Sequence, residues 1–375
     1  MTMKKPHIVI IGGGFGGTVT AKYLKKFSKA GKIDVTIINP GLYFLFTPLL
    51  HEVAVGELSP DSVLESIEKI FCNSKIKLIK DRAINIDPVK KVVSMCNGNI
   101  SYDYLVVSSG SETNYYSIPG ARENTLTLKD LNDAVRIKNR LKDTVKTCAV
   151  IGAGATGVEL VAEIADYRKN VGSERAVEVS LVVASPDVLP QFPVELRTIA
   201  HAHLLKKNIK IMTNECVIEV RPNKIIFADK SFLEAETIIW VAGVKPSPMD
   251  IPGAEKEKIG RIKIDEYLKV IGFGNIFSLG DISGTAPMLA QVAVQQGKIV
   301  AKNIIASISN KPLFPFIFKE KGLLVSLGKW YATGKISGIV MRGPFMWLLW
   351  RSIYLFNFHS WRKRLEIAWE WTLKL

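Results

Sequence analysis

The sequence predicts an α/β fold built around two parallel-sheet domains, and three observations lead there. Short β-branched runs alternate with stretches of helical period; a glycine loop spaced G-x-G-x-x-G follows the first run; and a loop of the same spacing recurs about one domain later. Strands alternating with helices assemble into open parallel sheets. A glycine loop set between strand and helix is the phosphate cradle of a Rossmann-type dinucleotide-binding domain.

In chain order the runs are HIVIIG (7–12), DVTIIN (34–39), YLVVSSG (104–110), TCAVIGAG (147–154), VSLVVA (179–184) and TIIWVAGV (237–244). Val and Ile suit strands covered on both faces. Segments 15–30 and 155–170 carry the helical period. Turn formers gather in ETNYYSIPG (112–120) and VKPSPMDIPG (244–253), which mark the breaks.

A chain of 375 residues exceeds one modest core and fits two or three domains. With 47% hydrophobic and 23% charged residues it is globular rather than disordered. Fifty Lys and Arg against 35 Asp and Glu leave a formal charge of +15, which favours nucleic acid, an anionic membrane or a phosphate-rich ligand without choosing among them. Cys72, Cys96, Cys148 and Cys216 are far apart and form no C-x-x-C pair, which argues against a disulfide framework, a zinc site or a dithiol redox centre. No metal site is expected. His201 and His203 stand two apart in RTIAHAHLLKK, on different faces of a helix, and G-x-S-x-G and H-E-x-x-H are absent. The opening apolar run is too short for a signal segment, so a reducing cytoplasm is expected.

IVIIGGGFGG (8–17) puts Gly12, Gly14 and Gly17 in register, and AVIGAGATGVE (149–159) does the same with Gly152, Gly154 and Gly157. The first glycine permits a tight turn, the second lets the backbone approach a pyrophosphate, and the third lets helix pack on strand. The helix then offers unpaired N–H groups and its positive dipole end to the anion. The next strand should end in an acid if it holds a ribose hydroxyl. Asn39 stands there in the first domain, 22 residues after Gly17; in the second it is Val183, followed by ASPDV with no arginine nearby. Preference between NADH and NADPH is therefore open. Glu159, directly after the second loop, is either a solvated first-turn carboxylate complementing the helix dipole or a group beside a nicotinamide.

Around these loops the chain resembles the type II NADH dehydrogenases, single-subunit NADH:quinone oxidoreductases of the two-dinucleotide flavoprotein group. NPGLYFLFTPLLHEVAVGELSP (39–60), YDYLVVSSGSETNYYSIPG (102–120) and IIWVAGVKPSP (238–248) are similar to the family's flavin-side and crossover segments. GNIFSLGDISGTAPMLAQVAVQQG (274–297), with its Gly-Asp signature and A-Q-x-A-x-Q-Q stretch, is the more specific match, together with the C-terminal region. The resemblance implies FAD in the first domain, NADH (with NADPH left open) in the second, and electrons passed to a membrane quinone without proton pumping. It implies FAD contacts at Gly12, Gly14, Phe15, Gly17, Asn39, Thr47, Ala83, Ser109, Gly110, Gly280, Asp281, Gln291 and Val292. Nicotinamide-nucleotide contacts are implied at Gly152, Gly154, Gly157, Glu159, Val183 and Gly243.

The implied catalytic residues are Glu159, Gln291, Gln295 and Lys321. Gln291 and Gln295, four apart on one helix face, would donate to a quinone carbonyl without bringing in charge, and Lys321 would stabilise negative charge on reduced flavin or quinone. The FAD domain is expected to be split, over 1–112 and 265–322, with an inserted NAD(P)H domain at 113–264 and a C-terminal membrane-attachment region at 323–375. Related disulfide reductases need a cysteine pair near the flavin. Sulfide:quinone oxidoreductases need a cysteine from the C-terminal third, whereas the last one here is Cys216. Two rivals stay open: a soluble NAD(P)H-dependent flavin reductase with a protein or small-molecule acceptor, and a basic flavin-bearing nucleic-acid-binding or signalling protein. No aromatic-basic motif supports nucleic acid.

The tail contains FMWLLWRSIYLF (345–356), and a spanning helix needs about 20 mostly apolar residues. Arg342 and Arg351 interrupt the stretch, so it is expected to lie on a membrane rather than cross it, with Arg351 reaching head groups. Five of the seven tryptophans, Trp347, Trp350, Trp361, Trp369 and Trp371, follow residue 345 and suit a membrane interface. Trp361, Leu365, Ala368, Trp369 and Thr372 form one helix face against Lys363, Glu366, Glu370 and Lys374, and the knot Arg362, Lys363, Arg364 is expected to bind lipid phosphates. The partners expected are a membrane quinone and an anionic lipid surface on the cytoplasmic face of the cell membrane. A homodimer contact, or packing on the protein's own core, is the other use for such a tail. Deleting 343–375 is expected to release the protein from liposomes with flavin still bound.

Overall fold

All six β-branched runs form strands, and a computed structural model of the chain divides them between two parallel sheets. Residues 5–142, 145–170, 177–284 and 286–373 are described. They form two compact units; one takes the chain up to Phe44, Glu65–Glu112 and Lys245–Glu320, and the other takes Leu45–Leu64, Thr113–Val244 and the residues from Lys321 onward.

The first unit holds a five-stranded parallel sheet in the order Ile276–Ser278, Tyr104–Val107, His7–Ile11, Asp34–Asn39, Ile76–Lys80. Its central strands are buried on both faces, which accounts for their unbroken apolar runs. Helix Phe15–Lys29 packs on helix Ala290–Ile308 at a glycine crossing: a Cβ on Gly297 would lie 2.7 Å from the Gly16 carbonyl. Only the missing side chain lets the helices approach so closely. An antiparallel meander, Ala83–Asp87, Val92–Met95 and Gly98–Ser101, completes the unit.

The second unit repeats the plan with strands Leu126–Thr127, Thr237–Trp240, Thr147–Ile151, Glu178–Val183 and Lys210–Thr213, all parallel. An antiparallel sheet, Val217–Arg221, Lys224–Phe227 and Phe232–Glu234, buries Ile225 and Phe227 against Trp240. A third sheet, Leu323–Ser326, Ala332–Ile336 and Ile339–Gly343, leads into helix Pro344–Asn357; the proline opens the helix where its missing N–H costs nothing. Helix Trp361–Leu373 follows.

The compact units differ from the expected boundaries in three places, the first being that Leu45–Leu64, expected in the FAD domain, belongs to the second unit. Residues 245–264 group with the first unit, and the tail from 323 is not a separate region. The reason is burial: Met346, Trp347, Trp350, Phe358, Ile367 and Trp371 are core residues of the second unit.

Candidate functional site

In the first unit the expected FAD residues gather where the parallel strands end. Gly12 follows His7–Ile11, Asn39 ends its own strand, Ser109 and Gly110 follow Tyr104–Val107, and Gly280 follows Ile276–Ser278. Gly12 has φ +101°, and a Cβ there would lie 2.3 Å from the Ser108 carbonyl oxygen; one on Gly17 would lie 1.9 Å from the Gly12 oxygen. A Cβ on Gly14 would meet nothing within 4 Å. Two glycines thus close the turn and the middle one leaves its backbone open, which fits a pyrophosphate.

The other expected positions have defined settings. Asn39 Oδ1 accepts the Gly13 N–H at 2.9 Å and its amide donates to the Gly41 carbonyl, so the side chain braces the loop. Phe15 stands edge-on to Phe44, and Ser109 accepts the Ser247 hydroxyl at 2.7 Å. Ser111 donates to the Asp281 carboxylate, which sits on the turn Gly280–Ile282. Ala83 and Val292 are buried, the latter on helix Ala290–Ile308.

Gln291 and Gln295 share that helix, but the Gln295 amide is spent: it donates to the Lys319 carbonyl at 2.8 Å and accepts the Lys319 N–H at 3.1 Å. Gln296 was not anticipated. Its Oε1 accepts the Gly280 N–H at 2.7 Å, while its Nε2 is buried without a partner. Thr47 and Lys321 are exposed and belong to the second unit.

The second glycine loop repeats the first. Gly152 has φ +112°, and a Cβ on it would lie 2.5 Å from Ala242 Cα; one on Gly157 would lie 1.8 Å from the Gly152 oxygen; Gly154 is open. Val183 ends its strand buried, and Gly243 leaves room for the Tyr116 hydroxyl, which a Cβ would approach to 2.3 Å.

Glu159 is not a solvated first-turn carboxylate. It points into the second unit, 6% exposed, where Oε1 accepts the Ser326 N–H at 3.1 Å and Oε2 lies 3.8 Å from His51 Nδ1. Burial pushes its carboxyl up to about 8 against the pull of the Ser326 N–H, with the nearby Glu52 adding to the rise. Burial also lowers His51 to about 3, so His51 is neutral at pH 7 and the contact is not an ion pair. Around them lie groups the sequence did not single out. Glu163 is buried one turn on, its carboxyl pushed up by burial and by Glu52. Trp371 Nε1 donates to Glu52 Oε2 at 2.6 Å, and Tyr354 stacks edge-on to Trp350. The spacing that betrays this cluster is VELVAEIA, two acids four apart on an otherwise apolar segment.

Arg351 does not reach outward. It is 8% exposed, lying 3.8 Å over the Trp347 ring and 4.7 Å over Trp371; burial lowers its pKa while Glu52, Glu163 and Glu57 hold the charge in place. Trp347, Trp350 and Trp371 are likewise core residues. Most of the basic knot is used internally: Arg364 donates to the Phe356 and Phe358 carbonyls, and Lys363 to the Asp61 carbonyl, leaving Arg362 exposed beside Glu366. Helix Trp361–Leu373 turns its polar side inward, where Glu370 accepts from the Ser59 N–H and from both the Ser59 and Ser62 hydroxyls. Trp361, Leu365, Trp369 and Leu373 face outward, each about two-thirds exposed. Lys374 lies outside the described residues. Among the described residues no helix is long and apolar enough to cross a membrane, and no group of three His, Cys, Asp or Glu could hold a metal ion. His201 faces Asp187 at 3.1 Å and His203 stacks on Tyr331.

Residues 6–297 match the pyridine nucleotide-disulphide oxidoreductase family. The chain is 30% identical to the internal alternative NAD(P)H-ubiquinone oxidoreductase A1, mitochondrial, of Arabidopsis thaliana, over 98% of its length and 84% of the relative's. It is 28% identical to the type II NADH:quinone oxidoreductase of Staphylococcus saprophyticus, over 92% of each chain. The structure of NDH2 from Plasmodium falciparum in complex with NADH has the same fold, with a TM-score of 0.87 at 22% identity over 98% of each chain.

Proposed function

We propose that this chain, which belongs to the pyridine nucleotide-disulphide oxidoreductase family and stands among its type II NADH:quinone oxidoreductases, oxidises NADH and reduces a quinone at a membrane. The observation that carries the reading is the repeated glycine cradle: each unit has two glycines no side chain could replace and a middle one open to a phosphate. The chemistry supplied by a bound FAD is acceptance of a hydride and release of two electrons. The overall balance is NADH, one proton and quinone giving NAD⁺ and quinol.

The chain's own residues bind and orient. Gly12, Gly14 and Gly17, with the N-terminus of helix Phe15–Lys29, hold the FAD pyrophosphate; Asp281 accepts hydrogen bonds from its sugar-alcohol chain. Gly152, Gly154 and Gly157 hold the pyrophosphate of NADH. Gln291, on helix Ala290–Ile308, is assigned the neutral donor to the quinone. Glu159 carries a proton rather than a charge at neutral pH.

Attachment is assigned to the outward stripe Trp361, Leu365, Trp369 and Leu373, with Phe345, Leu348 and Phe356 exposed on the preceding helix. Apolar and indole groups at such density suit a lipid interface, and the +15 charge favours anionic head groups on the cytoplasmic face. Anaerobic mixing with NADH tests the function. The flavin absorbance should bleach and return when a quinone is added; flavin that stays oxidised under NADH would count against it.

A further inference from the structure

We propose that Glu215 supplies the ribose-binding acid that the second nucleotide fold lacks at its usual place, and that it makes the protein select NADH over NADPH. The proposal rests on the function given above. In a dinucleotide-binding domain the end of the second strand meets the adenosine ribose. A carboxylate there accepts the ribose hydroxyls and repels a 2′-phosphate, whereas an arginine attracts it. Here that strand, Glu178–Val183, ends in a buried valine.

The carbonyl of Val183 accepts the backbone N–H of Glu215 at 3.0 Å, and that of Ser185 accepts the Asn214 N–H at 3.1 Å. These two bonds hold the chain leaving Lys210–Thr213 against the chain leaving Glu178–Val183, so Glu215 arrives level with Val183. On the other side, the Val182 carbonyl accepts the N–H of Gly152, first glycine of the loop, at 3.0 Å. Glycine loop, Val183 and Glu215 therefore lie side by side at the ends of three neighbouring parallel strands.

Glu215 is half-buried, and no described residue pairs with its carboxylate. The other acid near this strand end is already engaged: Asp187 Oδ1 accepts the Val188 N–H at 2.8 Å and lies 3.1 Å from His201 Nδ1. Segments 183–189 and 213–217 contain no lysine or arginine that could receive a 2′-phosphate. A carboxylate from the next strand thus gives the pocket edge the charge that Val183 withholds.

The test is calorimetric binding of ADP-ribose and of 2′-phospho-ADP-ribose to the flavin-loaded protein, a readout that needs no turnover. Wild type should bind ADP-ribose about tenfold or more tightly than its 2′-phosphate, as a hydrogen bond to a charged group requires. Glu215→Gln, nearly isosteric, should largely erase the difference, Glu215→Arg should reverse it, and Asp187→Asn should leave it unchanged. Far-UV dichroism and bound flavin check that each variant is folded. An unchanged preference in folded Glu215→Gln, or one that moves with Asp187→Asn instead, overturns the proposal. Wild type that binds neither compound removes the proposed function itself, and the assignment of Glu215 with it.

Discussion

Glu159 holds its proton where an ordinary glutamate would long have released it. The unfolded chain gives that proton up near 4.5 and the folded chain only near 8, because burial penalises the anion more than the Ser326 N–H rewards it. Stability is thus fully present below 4.5, falls as pH rises, and this contribution is gone above 8, at about 1.4 kcal/mol for each unit of separation. Glu159→Gln keeps an acceptor for Ser326 and removes the titration. Its urea midpoint should gain on wild type steadily from pH 5 to pH 8.5; parallel profiles would show that the carboxyl ionises normally. Gly14 poses a separate residue-scale case. Its backbone is extended (φ −78°, ψ −162°) and a Cβ there meets nothing. Gly14→Ala should therefore fold with the Tm of flavin-free wild type and lose flavin on dialysis, as the methyl stands where the pyrophosphate must lie. A variant that keeps its flavin would remove Gly14 from the site.

At the scale of elements, the last two helices do two jobs on opposite faces. Inward, Arg351 lies between indoles and near three carboxylates; outward, Trp361, Leu365, Trp369 and Leu373 are each about two-thirds exposed. The two faces predict opposite outcomes. Arg351→Met should lower stability by about 3 kcal/mol, since the carboxylates around it lose their compensating charge, and should leave vesicle binding of the folded protein intact. Trp361→Ser with Trp369→Ser should do the reverse: sedimentation with anionic vesicles falls while the urea midpoint holds.

The strands and both glycine helices could be read from the sequence because β-branched runs and helical period depend on local spacing, and Gly12 and Gly152 are explained by their own φ angles. The direction of Arg351 could not. A basic residue in an apolar helix points to head groups or to buried acids equally well, and Glu52, Glu57 and Glu163 come from distant parts of the chain. The same holds for the last helix, whose polar face looks solvent-bound until Ser59 and Ser62 are found beneath it. Glu159 was legible as a residue of interest but not as a buried one, because its cover is the strand Leu323–Ser326.

On the scale of the whole molecule, the tail is part of the second unit's core. Removing residues 343–375 takes away Met346, Trp347, Trp350, Phe358, Ile367 and Trp371 together. It should therefore cost that unit its cooperative unfolding, beyond releasing the protein from lipid. Calorimetry of the truncated chain should lose the transition belonging to residues around Glu159, with the first unit's glycine cradle kept. A truncated protein that melts like wild type would mean that the tail is an appendage after all.

The inward anchoring of helix Trp361–Leu373 by Glu370 has a practical consequence for anyone handling the purified protein. Because Ser59 and Ser62 fix the helix from below, its oily ridge cannot fold away when detergent is withdrawn. Molecules would then clump through that ridge. Exchanging its four exposed side chains for glutamine or lysine should give a version that stays dispersed in plain buffer, still yellow, and suited to crystallisation.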